Sequence, residues 1–90
     1  MTVSVPMLEV TFRKGRPLAA YLRVAHGTGK VANTRELAPN LVGDFGDAGE
    51  LRGLEILAFD APTLSRINEV LGSHGVPALP DRELAPLTAA

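Results

Sequence analysis

Three short segments with strand character follow one another between residues 30 and 59, and turn residues separate them. They read KVANTREL, NLVGDF and ELRGLEILAF, with Pro39-Asn40 in the first gap and Gly46 to Gly49 in the second. Strands this short, joined by turns this tight, pair as antiparallel neighbours. The stretch therefore predicts a β-meander, and no other feature of the chain limits its fold as strongly.

Two further strands precede this stretch. MLEVTF, residues 7–12, alternates apolar and polar side chains, as does LAAYLRVA, residues 18–25. That period of two is typical of strands with one buried face. Arg13 to Pro17 supplies the turn between them, and His26 to Gly29 supplies the next. We therefore predict a four- or five-stranded antiparallel sheet with its strands in sequential order.

The turn Asp47-Ala48-Gly49 predicts the pairing of the last two strands. It suits a three-residue hairpin loop with glycine in the left-handed conformation. Counting outward from this loop pairs Phe45 with Leu51, and it then pairs Asp44 with Arg52. Opposite charges on directly paired residues stabilise a sheet, so we expect a structural ion pair between Asp44 and Arg52.

The hydrophobic period changes after Asp60. Leu64, Ile67, Val70 and Leu71 recur every three or four residues, which is the helical period. Pro62 suits a first helical turn and Gly72 suits a helix end. The pattern predicts one helix at about residues 62–71, packed on one face of the sheet in an α+β fold. The predicted core comprises Leu22, Val24, Leu54, Ile56, Leu64 and Ile67.

A chain of 90 residues has the size of one domain. We assign the sheet and helix to residues 1–72, and residues 73–90, which are rich in proline, to an extended, partly ordered tail. The pentapeptide RELAP occurs at residues 35–39 and again at residues 82–86. Chance in a chain of this composition is the simpler interpretation. The alternative is that the tail copies a strand and pairs with a sheet edge.

The composition limits which cellular compartment and which binding partners we predict. The chain contains no cysteine, no signal-like segment at its start and no apolar run near the roughly 18 residues that span a bilayer. We expect a cytoplasmic protein that does not enter membranes. Residues 1–35 hold six bases and one acid, and the remaining residues hold three bases and nine acids. This asymmetry either cancels between neighbouring strands or forms a functional polarity.

The sequence predicts no catalytic residue, no cofactor and no metal site. The segment from Gly27 to Lys30 lacks the full phosphate-loop pattern, and no serine has a visible base. Glu55, between Leu51 and Leu57, is the one carboxylate that burial could turn into a general acid by raising its pKa. A structural pairing of Glu55 with Arg23 or Arg35 is the simpler interpretation.

The last strand carries apolar side chains on both faces, because Leu51, Leu57 and Phe59 alternate with Leu54 and Ile56. One helix covers one face only. Open apolar patches commonly mark interfaces, so we predict a homodimer through Leu51, Leu57 and Phe59. The basic turn from Arg13 to Arg16, in a chain with an isoelectric point near 6.1, predicts at most weak nucleic-acid binding.

The segments GKVANTREL and LVGDFGDAGELRGLEIL resemble the small bacterial family called domain of unknown function 2283. Its lysine-valine strand, aspartate-aromatic step and glycine-aliphatic-glutamate strand match Lys30-Val31, Asp44-Phe45 and Gly53 to Ile56. The resemblance covers about residues 7–59, with bases at residues 13–17 where the family carries acids. It implies a small β-rich protein. Some members look like neighbours of toxin-like genes, which implies an antitoxin-like role.

Three functions follow from these patterns. The first is a small non-enzymatic protein-interaction module, which the missing catalytic residues and the two-sided apolar strand favour. The second is a small-molecule-binding or enzymatic domain that uses Glu55. The third is a weak nucleic-acid binder that uses the basic turn. The first is our prediction, with the protein acting through its sheet face or edge and with the tail as a second contact.

Overall fold

The computed structural model describes residues 6–25 and 30–88. In these residues five strands precede two helices. The strands are β1 Met7–Arg13, β2 Arg16–Arg23, β3 Asn33–Ala38, β4 Leu41–Phe45 and β5 Leu51–Ile56, and the helices are α1 Ala61–Ser73 and α2 Asp81–Thr88. All strand pairs are antiparallel. The predicted α+β class is confirmed, while the turn predicted at residues 26–29 lies outside the described residues.

The strands lie in the order β1-β2-β5-β4-β3, so the predicted sequential order is wrong. β5 takes the central position that a meander would give to β3. It carries Leu54 and Ile56, neither of which is exposed at all, and it therefore needs a neighbouring strand on each side. Residues 33–36 of β3 are all exposed, which suits the edge of a sheet.

The turns within the hairpins follow the sequence prediction. Gly49 has a φ of 81°, and the backbone N–H of Gly46 donates to the carbonyl of Glu50 over 2.9 Å, which closes the β4–β5 hairpin. Asn40 follows Pro39 with a φ of 66°, a left-handed conformation that asparagine tolerates. Lys14 and Gly15, both with positive φ, form a two-residue turn between β1 and β2, which is shorter than the predicted turn from Arg13 to Pro17.

The β4–β5 register is only partly as predicted. Phe45 faces Leu51, but a shift lies between Asp44 and Phe45, and beyond it Asp44 faces Gly53. A β-bulge places two residues opposite one, and here Arg52 is the additional residue. The predicted pairs beyond Phe45–Leu51 are therefore wrong by one residue, and the register no longer sets Arg52 opposite Asp44.

Helix α1 begins and ends close to the predicted positions. Asp60 caps it, because its Oδ1 accepts hydrogen bonds from the N–H of Thr63 over 2.8 Å and from the hydroxyl of Thr63 over 2.7 Å. The Thr63 hydroxyl is the main reason that the pKa of Asp60 lies below its ordinary value. Ile67, Val70 and Leu71 are buried against the sheet, as the helical period predicts.

The prediction of a single helix and an extended tail is wrong. Residues 81–88 form α2, and Leu79 and Leu87 are buried in the same core as the sheet. The segment before α2 is held by Asn68 of α1, whose side chain donates to the carbonyl of Leu79 over 3.1 Å and accepts from its N–H over 2.8 Å. Residues 82–86 are helical, so the second RELAP does not pair with a sheet edge.

The two helices cover one face of the sheet and form the core with it. Leu22, Leu54, Ile56 and Ile67 are buried as predicted, while Val24 and Leu64 are half-buried against them. Leu51 is also a core residue and Phe59 packs against the core, so neither is available on an uncovered face. The buried apolar residues are Ala20, Leu22, Leu41, Phe45, Leu51, Leu54, Ile56, Ile67, Val70, Leu71, Leu79 and Leu87.

Neither helix in the described residues is long and apolar enough to cross a membrane.

Candidate functional site

The sheet face opposite the helices carries the candidate site, and we call it the open face. Strand alternation assigns side chains to it, since successive residues of a strand point to opposite faces. Its central residues are half-buried or buried, and most of the others are exposed. The open face comprises Glu9, Thr11, Ala19, Tyr21, Arg23, Thr34, Glu36, Val42, Asp44, Gly53, Glu55 and Leu57.

A row of hydrogen-bonded side chains crosses the open face from β2 to β3. The hydroxyl of Tyr21 donates to Oδ2 of Asp44 over 3.0 Å, and the hydroxyl of Thr34 donates to Oδ1 over 2.7 Å. Asp44 is only 9% exposed, and a buried carboxylate is costly unless donors satisfy both oxygens. We call Tyr21, Asp44 and Thr34 the polar row, and its hydrogen bonds join three strands.

Gly53 of β5 makes the polar row geometrically possible. β5 lies between β2 and β4, so the Tyr21 side chain must pass over it to reach Asp44. A Cβ on Gly53 would collide with the hydroxyl and ring of Tyr21. Glycine in the interior of a central strand commonly marks such a close approach. This was the sequence signal that could have revealed the polar row, which sequence reasoning missed.

The environment of Tyr21 makes its phenol a poor acid. Partial burial, followed by the hydrogen bond and the charge of Asp44, raises the pKa of Tyr21 to about 12 from an ordinary 10.0. A general acid or base works best with a pKa near the working pH. Tyr21 therefore stays a neutral hydrogen-bond donor and is suited to structure more than to proton transfer.

Glu55, the predicted functional carboxylate, is half-buried on β5 opposite Tyr21. It lines a shallow depression of about 260 Å³ with Glu9, Thr11, Ala19, Tyr21 and Leu57. Two carboxylates, one aromatic ring and an exposed leucine thus share one concavity. Their chemistry suits a cationic group with an apolar stem.

The predicted partners of Glu55 lie elsewhere. Arg23 has its Nη2 3.8 Å from Oε1 of Glu9, and both side chains are largely exposed. Arg35 places its guanidinium carbon 4.3 Å from the ring centroid of Phe45. In the other predicted ion pair, Asp44 accepts hydrogen bonds from Tyr21 and Thr34. Nη1 of Arg52 lies 3.8 Å from Oε2 of Glu50. The prediction of an ion pair between Asp44 and Arg52 rested on a register that sets these residues opposite each other, whereas Asp44 faces Gly53.

Two further polar groups with catalytic potential, Ser73 and His74, contact backbone carbonyls of α1. The hydroxyl of Ser73 donates to the carbonyl of Glu69 over 3.0 Å, and Nδ1 of His74 lies 3.0 Å from the carbonyl of Val70. The His74 ring also packs on Phe45, with centroids 5.5 Å apart. Among residues 6–25 and 30–88, no three histidine or acidic side chains converge as a metal site would require.

These features define an α+β protein with an open five-stranded antiparallel sheet and two helices on one face. Comparison of the chain with models of known protein families, with curated proteins and with solved structures gives no match. The resemblance to the domain of unknown function 2283 family therefore stays a prediction.

Proposed function

We propose that this chain is a small, non-enzymatic protein-interaction module that binds other proteins through its open face. The observation that carries the proposal is Leu57, a large apolar side chain that is 55% exposed beside the depression on that face. Apolar surface that the domain's own helices leave uncovered is a common mark of a protein interface. Ala19, also exposed, extends this surface onto β2.

The polar row supports the proposal because it makes the surface stiff. Tyr21 and Thr34 each donate a hydrogen bond to Asp44 across the sheet, so these three side chains lose little further freedom when a partner docks. Surfaces organised before binding have a smaller entropic cost of association. The edges of the sheet offer a second mode, because β1 and β3 are terminal strands that can accept a strand from a partner.

A free tail is no longer part of the proposal, since Leu79 and Leu87 are core residues. The cytoplasmic location and the antitoxin-like role remain proposals. The first rests on a composition without cysteine. The second rests on the family resemblance alone.

Photo-crosslinking in the source cell tests the proposal. A photoreactive amino acid replaces Leu57 or Ala19 on the open face, and Arg66 or Arg82 on the helices serves as the matched control, since all four residues are exposed. We expect protein adducts from positions 57 and 19 that positions 66 and 82 do not give. Adducts that are equal at all four positions, or absent at positions 57 and 19, would contradict the proposal.

The depression supports a second candidate function, the binding of a small cationic molecule between Glu9 and Glu55. Mass spectrometry under native conditions separates the two candidates. A retained small molecule that Glu55→Gln releases, together with no crosslinked protein, would replace the interaction proposal with this one. Retention that Glu55→Gln leaves unchanged would reject the depression as the binding site.

A further inference from the structure

The open face is organised in rows that run across the strands. One row contains Thr11 of β1 and Ala19 of β2, which pair directly. Leu57 lies in the same row, because it follows Ile56, the β5 partner of Ala20. We call Thr11, Ala19 and Leu57 the central row. All three are exposed, and none carries a charge.

The row on one side of the central row is acidic. Glu9 pairs with Tyr21, and Tyr21 pairs with Glu55, so two carboxylates flank one aromatic ring. Glu36 of β3 continues the row beyond Val42. We call Glu9, Tyr21 and Glu55 the acidic row. It lies two residues, or about 7 Å, from the central row along the strands.

The row on the other side is basic. Arg13 and Arg16 pair at the end of the β1–β2 hairpin, beside Lys14 in the turn. Arg13 is two residues beyond Thr11 on β1, so alternation places it on the same face as Thr11 and Glu9. The register shift in this hairpin leaves one residue of β2, Leu18, without a partner on β1. The alternation of side chains along β1 is therefore unbroken. We call Arg13 and Arg16 the basic row.

This order of rows complements itself. Consider a twofold axis that lies in the plane of the interface and runs along the central row. Rotation about this axis generates a second copy whose open face lies against that of the first. The two sides of the central row are exchanged between the copies. This rotation places the basic row of one copy over the acidic row of the other, and each residue stays above its own strand. Arg13 then faces Glu9 of the second copy, both on β1. Arg16 faces Tyr21, both on β2.

We propose that two copies of this chain pack open face to open face about this axis, so that the basic row of each completes the depression of the other. The inference rests on the proposed function, because it names a second copy as the partner of the open face. Leu57 meets its own copy at the centre. This contact differs from the homodimer predicted from the sequence, because Leu51 and Phe59 take no part in it.

Each row contributes a different kind of interaction. The central row contributes uncharged contacts on the axis, apolar at Ala19 and Leu57, where a residue meets itself and a charge would be repelled. The basic row contributes arginines, which bind carboxylates with two parallel hydrogen bonds and stack on aromatic rings. Tyr21, Glu9 and Glu55 line the depression and are groups that such a side chain binds. Glu9 already lies 3.8 Å from Arg23 of its own chain, across a solvent-exposed contact. Charge complementarity therefore selects both the partner and the relative orientation.

Two charge-reversal variants test this arrangement. Variant one is Arg13→Glu with Arg16→Glu, and variant two is Glu9→Arg with Glu55→Arg. In each variant alone, the facing rows of the two copies carry like charges, and we expect dimerisation to weaken by at least about tenfold. In a mixture, variant one carries acidic side chains in both rows and variant two carries basic side chains in both, so opposite charges face each other on both sides of the central row. We expect the mixture to form a one-to-one heterodimer with near wild-type affinity.

Sedimentation measures the masses, and circular dichroism verifies that each variant is folded. Arg66→Glu with Arg82→Glu, which reverses two exposed charges on the helices, is the matched control and is expected to leave the dimer intact. Wild-type protein that stays monomeric at high micromolar concentration would overturn the inference. A dimer that is insensitive to both variants, or variants that fail to rescue each other, would overturn it also.

The two proposals can fail separately. Crosslinks from position 57 to a different protein, with a monomeric wild type, would reject the twofold contact and keep the open face as an interaction surface. A dimer that obeys the charge rules, with crosslinks only between copies, would support the twofold contact and limit the interaction module to self-association. Absence of both would reject both.

Discussion

The hydroxyl of Tyr21 on β2 donates a hydrogen bond to Asp44 on β4 across the full width of β5, with oxygen atoms 3.0 Å apart. The contact joins residues that are 23 positions apart in the chain. It exists because β2 and β4 flank β5 and because Gly53 carries no side chain between them. The same contact holds the centre of the open face in one arrangement.

The titration of Tyr21 should report this contact directly. The chain contains one tyrosine and no tryptophan, so the ultraviolet absorbance of tyrosinate follows a single group. We expect a pKa of about 12 in the folded protein. Asp44→Asn should lower this pKa towards 10.0. The substitution removes the charge of Asp44 and the hydrogen bond to its carboxylate, which are the two largest causes of the rise after burial. Glu55→Gln is the control and should lower it less, since the charge of Glu55 is the smallest of these causes.

The same shift predicts how stability depends on pH. A folded-state pKa above the unfolded value means that the folded state binds the phenolic proton more tightly. The contribution of Tyr21 to the free energy of unfolding is therefore fully present below pH 10.0 and is lost as the pH rises towards about 12. Urea unfolding at a series of alkaline pH values measures it. Tyr21→Phe should flatten the dependence in this window, and an unchanged slope would contradict the assignment.

Gly53→Ala should lower the free energy of unfolding, because the new Cβ would collide with Tyr21 and break its bond to Asp44. We expect a loss of about 1 to 3 kcal/mol from a buried acceptor left without its donor. In a Tyr21→Ala background the collision is absent, and the same substitution should be neutral or stabilising, since alanine has less backbone entropy to lose. Equal losses in both backgrounds would show that Tyr21 does not pass over Gly53. Gly72→Ala, with open space around its Cβ, is the control.

Helix α2 should be necessary for folding. Leu87 is 1% exposed, and Leu87→Ala should lower the free energy of unfolding by about 2 to 5 kcal/mol. Leu18→Ala, at a leucine that is 56% exposed, should change it by less than about 0.5 kcal/mol. Removal of residues 81–90 should broaden or abolish the cooperative transition in chemical denaturation. Unchanged stability after removal would mean that α2 is a dispensable tail.

Nucleic-acid binding should be weak and sensitive to salt. Arg13, Lys14 and Arg16 are the bases of the β1–β2 hairpin turn. Three phosphate contacts predict roughly a 40-fold loss of affinity between about 50 and about 200 mM salt. Fluorescence anisotropy with a labelled duplex measures this, and a variant with alanine at all three positions is the control. Micromolar or tighter binding at about 0.15 M salt would contradict the prediction.

Local signals in the sequence were sufficient for several elements. The alternation of residues 7–12 and the turn glycine Gly49 predicted strands and a hairpin that the structure contains. The three- and four-residue period after Asp60 predicted α1 to within two residues at either end. Each of these signals acts between residues close in the chain, so propensity and turn geometry determine the outcome without help from the rest of the fold.

The candidate site was harder to predict. The sequence pointed to Glu55, and the structure places it on the open face, but the polar row around it was not foreseen. Tyr21, Asp44 and Thr34 lie on three different strands. Their proximity depends on the strand order and on the bulge at Arg52, which shifts Asp44 opposite Gly53. A register change of one residue reverses which face a side chain occupies, and no local pattern signalled this one.

The two copies of RELAP separate what the sequence by itself determined from what only the tertiary structure decided. The sequence determined where strands, tight turns and α1 form, because those choices depend on neighbours within a few positions. Residues 35–38 nevertheless lie in the edge strand β3, while residues 82–86 lie in α2, with Pro86 inside the helix. Pairing with β4 selects the strand in the first copy. Burial of Leu87 selects the helix in the second. The tertiary structure decided both, because contacts between distant residues outweigh the small local preferences of a five-residue segment.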